Sequence, residues 1–72
     1  MIKPALNSQD VLDALAQSPY RRVRNLAVEV AGESVSLHGR LGSYFEKQVA
    51  QEAVLRVSGV GAVHNHSTVD YA

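Results

Sequence analysis

The sequence predicts a small α+β fold, α-β-β-α-β, in which two helices pack on one face of a three-stranded mixed sheet. Two observations carry most of this. Leu26, Val28 and Val30, then Val35 and Leu37, alternate with polar or small residues on either side of a short turn, the period of two half-buried strands. A helix with a clear start then separates the second strand from a third apolar segment, Gly59-Val60-Gly61-Ala62-Val63. Strand, helix and strand in that order form a crossover, and only one face of each strand is apolar, so both helices are expected on the same side. The opposite sheet face is left open and polar.

The elements follow in order. Asn7 or Ser8 opens the first helix, with Asp10 favourably placed in its first turn. Val11, Leu12, Leu15 and Ala16 form its apolar stripe. Ser18-Pro19 ends it, because the residue before a proline is pushed out of helical geometry. Ala31-Gly32-Glu33 is the turn between the two alternating segments. In the second strand Gly39 follows Val35 and Leu37 on the inward face, where glycine marks a close approach by another part of the chain. Gly42-Ser43 breaks that strand, and Ser43 with Glu46 forms a capping box. The second helix is expected over roughly residues 44–57, with Phe45, Val49, Ala53 and Val57 facing the core and Gly59 at its C-cap. A last strand of roughly ten residues, 62–71, puts Val63, Asn65, Ser67 and Val69 on one face and His64 and His66 on the other.

The order and spacing of Val28, Val30, Val35, Leu37, Gly39, Arg40, Leu41, Ala50, Gly59, Val60, Val63, Asn65 and Val69 resemble the BON family, the bacterial osmotic-shock and nodulation domain. Residues 1–7 read as a lead-in and 8–71 as a single BON-like domain. One departure is Ser67, where the family usually places an aliphatic residue. The resemblance implies the same two-layer fold. It also implies a non-enzymatic module that attaches to anionic phospholipid surfaces or to cell-envelope partners.

Composition narrows the alternatives. At 72 residues there is room for one core, and 46% hydrophobic residues argue against disorder. Seven basic side chains balance seven acidic ones, so no general attraction to nucleic acid is expected. There is no cysteine, hence no disulfide framework and no thiol chemistry. No apolar run approaches the ~18 residues of a membrane span. Lys3 is not followed by a signal-peptide core, so the chain is expected in the cytoplasm, or in the periplasm or envelope if it is part of a longer exported, multidomain protein. No nucleophile, base and orienting group stand together in the sequence. Gly59-Val60-Gly61 follows a helix rather than opening one, which is the wrong order for a phosphate loop. No enzyme activity and no cofactor are expected.

Two sets of residues remain as candidate sites. The first is Tyr20, Arg21, Arg22 and Arg24, read as a loop entering the first strand. Residues 1–24 hold four basic and two acidic side chains, a net of +2, and the remainder holds three basic and five acidic, a net of −2. Arginines beside a tyrosine suit phosphate headgroups or an acidic partner. Tyr44 and Tyr71 are further aromatic anchors if a partner docks. The second set is His38, His64 and His66, which the strand alternation places on the open face with Glu29. A solvated face is the plainer expectation, with no tight metal site; zinc ligation would need the imidazoles to converge. An interaction or self-assembly module working through the open sheet face stands as the alternative function, and a small metal-binding domain as a further one. Strong weakening by salt marks the first reading and sensitivity to chelator the last.

Overall fold

The computed structural model describes residues 6–70; residues 1–5 of the lead-in and Tyr71 lie outside the described residues. Helix α1 (Ser8–Ala16) starts as its sequence dictates: the Asn7 side chain accepts a hydrogen bond from the Asp10 N–H at 3.0 Å. Val11 and Leu15, one turn apart, are its buried residues. A second helix, α2 (Arg21–Arg24), occupies the segment read from sequence as a loop. Strands β1 (Ala27–Ala31) and β2 (Ser34–His38) form an antiparallel hairpin in which Val28 faces Leu37 and Val30 faces Val35. The hairpin closes through two residues, the first of which is Gly32 at φ +61°, a conformation that glycine adopts without steric cost.

Strand β3 (Arg40–Leu41) follows a kink at Gly39, and α3 (Tyr44–Leu55) follows in turn. Ser43 caps α3 by accepting from the Glu46 N–H at 3.2 Å, while the Glu46 carboxylate accepts from the Gly42 N–H at 3.3 Å rather than from that of Ser43. The helix ends earlier than expected, with Arg56 as its C-cap, so Gly59 belongs to the following turn and not to the cap. Strand β4 (Ala62–Asn65) pairs parallel to β2, giving a mixed sheet of order β1-β2-β4, and the fold is α+β. Strand β5 (Thr68–Val69) pairs parallel to β3.

The last strand is therefore interrupted at His66 and Ser67, where a single run was expected. The cause is local. The Asn65 side-chain oxygen accepts from both the N–H and the hydroxyl of Ser67, an alternative to the ladder that short polar side chains offer. The Asn65 amide donates to the Lys47 carbonyl at 3.0 Å, and the Lys47 ammonium returns a bond to the Ser67 carbonyl at 2.7 Å. These bonds fasten α3 to the strand break and satisfy Ser67, which is only 2% exposed. His66 N–H to Leu37 carbonyl at 2.8 Å and Thr68 N–H to Gly39 carbonyl at 2.9 Å carry the pairing across the interruption.

The core is Val11 and Leu15 of α1, Val23 of α2, Leu26, Val35 and Leu37 of β2, Leu41 of β3, and Ala50 and Val54 of α3. Val35 and Leu37 are fully buried because β2 is the central strand; Val28, Val30 and Val63, on the flanking strands, are only partly covered. Leu12, Phe45, Val49 and Val57, assigned to the core from sequence, are not in it, whereas Ala53 packs against it. Leu12 is 37% exposed because its neighbour Val11 and Leu15 already fill the inward line of α1, and Phe45 is 58% exposed at the outer edge of α3. The close approach at Gly39 is real, but its source is the chain leading into β1 rather than a helix. A Cβ built on Gly39 would lie 2.8 Å from Leu26 Cδ2, and φ is +147° there.

Candidate functional site

The arginine segment owes its shape to one buried valine. Tyr20 is extended, and the chain then makes a single turn in which the Arg24 N–H donates to the Tyr20 carbonyl and the Asn25 N–H to that of Arg21, both at 3.1 Å. Val23 is the one inward position of that turn and is fully buried, which leaves Arg21, Arg22 and Arg24 exposed. Arg24 Nη1 donates to the Ser18 carbonyl at 2.9 Å, tying the turn to the end of α1. Arg22 reaches over Gly42, where an added Cβ would stand 3.5 Å from its Nη1 and 3.2 Å from Glu46 Oε2. Among the described residues none of the three arginines is in an ion pair; the two ion pairs are His38–Glu29 and Arg40–Asp70. Arg21, Arg22 and Arg24 thus stand exposed on one turn with Tyr20 at its start, and the Glu46 carboxylate lies near Arg22 without forming an ion pair with it.

Aromatic side chains adjoin it. The Tyr20 ring meets Phe45 edge to face, with centroids 5.7 Å apart and planes at 83°, a favoured arrangement for two rings. Tyr44, next to Phe45 in the first turn of α3, is also exposed. Beyond Phe45 an open groove of about 580 Å³ runs between the end of α1 and the outer side of α3, with Ala14, Pro19, Phe45, Val49, Ala53 and Val57 supplying its apolar lining. The last four of these are the residues expected in the core. Helix α3 has two apolar lines, Ala50 with Val54 and Phe45 with Val49 and Ala53; the core takes the first, and the second borders the groove together with Val57 just past the helix, Ala53 touching the core as well. Sequence reasoning missed this groove, although an apolar surface wider than one stripe was there to be read.

The histidines stand on the other side of the sheet, where the alternation of the strands placed them. The His38 and His66 rings are stacked with centroids 5.2 Å apart, and the His64 and His66 rings lie 6.3 Å apart and nearly parallel. Glu29 Oε1 is 3.3 Å from His38 Nε2. Stacked, parallel rings do not point their nitrogens at one centre, and among the described residues no group of three or more His, Cys, Asp or Glu is placed to hold a metal ion. Nor, among those residues, is any helix long and apolar enough to cross a membrane.

The fold and the exposed arginine-aromatic patch define a small two-layer α+β module. The chain belongs to the BON domain family: the family model matches residues 5–71, nearly its whole length. BON domains are generally non-catalytic modules, often linked to membrane or envelope association. No curated protein and no solved structure gave a significant match.

Proposed function

We propose that this BON domain is a non-enzymatic module that attaches to anionic phospholipid surfaces, or to a cell-envelope partner of like charge, through Tyr20, Arg21, Arg22 and Arg24. The observation that carries the reading is that three exposed arginines, none in an ion pair among the described residues, stand on one turn beside exposed Tyr20 and Phe45. Guanidinium groups suit phosphate oxygens, and aromatic rings suit the boundary between headgroups and acyl chains. The magnitudes bound what one domain achieves. Each basic side chain at an anionic bilayer contributes about 1 kcal/mol, so three give about 3 kcal/mol, an affinity of millimolar or weaker. Useful attachment then requires a second signal: insertion of Tyr20, Tyr44 or Phe45, an adjacent domain, or an oligomer.

As part of an exported parent protein the domain would meet such surfaces in the periplasm or envelope, and otherwise at the cytoplasmic leaflet. The test is co-sedimentation with vesicles of phosphatidylglycerol, compared with neutral phosphatidylcholine vesicles, at low and at physiological salt. Wild type is expected to bind the anionic vesicles in a salt-sensitive way. The Arg21→Ala/Arg22→Ala/Arg24→Ala variant is expected to bind poorly at both. Equal behaviour of the two proteins on anionic vesicles refutes the arginine assignment.

A further inference from the structure

The open sheet face carries a charge pattern that the arginine patch does not explain. Its outward residues on β1, β2 and β4 are Ala27, Glu29 and Ala31, then Ser34, Ser36 and His38, then Ala62 and His64, with His66 directly after. No lysine or arginine lies in these three strands. In the cross-strand register Glu29 faces Ser36, and Ser36 faces His64, while the His66 N–H bonds to the Leu37 carbonyl, which puts His66 beside His38. The result is a row in the order Glu29, His38, His66, His64, with ring centroids 5.2 and 6.3 Å apart. Further along the chain, on β3 and just after β5, Arg40 and Asp70 offset each other at 3.9 Å. With the imidazoles counted as neutral, the formal charge of these outward strand residues is that of Glu29 alone.

Imidazole is the side chain whose charge changes within the mildly acidic range. With all three rings protonated the face carries two net positive charges, and among the described residues Glu29 is the one carboxylate on it apart from the offset Asp70. Stacked neutral rings are compatible; stacked charged rings repel. An anion laid across the row relieves that repulsion and accepts from N–H groups that, once the ring is charged, are all donors. Proton uptake and anion binding then strengthen each other by linkage. The flanking side chains are alanines and serines, so the rings stand above a low floor. That geometry lets them reach a flat charged surface and does not enclose a small ion.

We propose that His38, His64 and His66 make the open sheet face a second, acid-activated contact for anionic phospholipid surfaces, on the side of the sheet away from α2. This contact is separate from the arginine patch and does not depend on it. Its test uses phosphatidylglycerol vesicles at pH 7.5 and pH 5.5, with four proteins: wild type, the triple arginine-to-alanine variant, a His38→Gln/His64→Gln/His66→Gln variant, and the combination of both. Circular dichroism of each at both pH values confirms that the fold is kept, and His66→Gln alone serves as the milder replacement of the middle ring.

The arginine variant is expected to gain at least about tenfold in vesicle binding on acidification, since each added charge contributes roughly fivefold. The histidine variant is expected to keep its pH 7.5 binding and lose that gain, and His66→Gln to lose part of it. An equal acid gain with and without the histidines overturns the proposal, because the gain then comes from the general rise in net charge. An acid gain seen with polyaspartate but not with vesicles also overturns it, and assigns the face to an acidic protein partner instead. Failure of the arginine variant to lose pH 7.5 binding refutes only the arginine patch and leaves the acid gain as a separate readout.

Discussion

Gly39 and Asn65 are the two residues whose roles are most specific to this fold. Gly39 sits at φ +147°, and a side chain there meets the buried Leu26 at 2.8 Å, so a substitution suffers both backbone strain and overpacking. Gly39→Val is expected to destabilise by about 1–3 kcal/mol from overpacking alone, with a strain cost of similar order added. Equilibrium denaturation in urea measures it, and a change within about 0.5 kcal/mol, the range of surface substitutions, would show that Leu26 yields freely. Asn65 holds three bonds that join Ser67 and Lys47 of α3 across the strand break. Asn65→Ala leaves the buried Ser67 hydroxyl without its acceptor, a loss of about 1–3 kcal/mol. Hydrogen exchange should show the loss at Ser67 first. Unchanged protection at Ser67 would mean that Lys47 alone holds the break.

Among the elements, α2 depends most on tertiary packing. Four residues are too few to be helical by themselves, and Tyr20 provides no side-chain cap. Val23 is what holds the turn in place. Val23→Ala should cost about 1.5–3 kcal/mol, allowing for the cavity left behind. Because the arginines ride on that turn, vesicle binding at low salt should also fall while Arg21, Arg22 and Arg24 are all still present. Retained binding in a destabilised Val23→Ala protein would show that the arginines act as a flexible charged loop, with no use made of the helical turn.

What the sequence made legible also divides by element. The strands of the hairpin and the caps at Asn7 and Ser43 were readable because alternation and capping are local rules. The grouping of His38, His64 and His66 on one face followed from the parity of the strands, whereas their stacking depends on a register that only the folded sheet sets. Helix α2 was not readable, since a four-residue turn has no periodicity to detect. The inward face of α3 was misassigned because a spacing of four fits Ala50 with Val54 as well as Phe45 with Val49. Which line is buried is decided by where α1 and the sheet lie. The same misassignment concealed the exposed Phe45, and with it the aromatic half of the candidate site.

At the scale of the whole molecule, the domain is electrically neutral yet unevenly charged, and its candidate contacts lie on different surfaces. The arginine turn and Phe45 belong to the helical side, the histidine row to the open sheet. With so small a core and only about 3 kcal/mol of attraction from three arginines, the domain fits a role as one weak contact among several. The most direct measurement is an amide-resonance map of the wild-type domain at pH 7.5, recorded as phosphatidylglycerol vesicles are added. Attachment through the arginine patch predicts broadening centred on Tyr20, Arg21, Arg22, Arg24, Tyr44 and Phe45, reversed by salt, with Glu29, Ser36 and His64 little affected. Broadening centred on the open sheet face at that pH, or none that responds to salt, would contradict it.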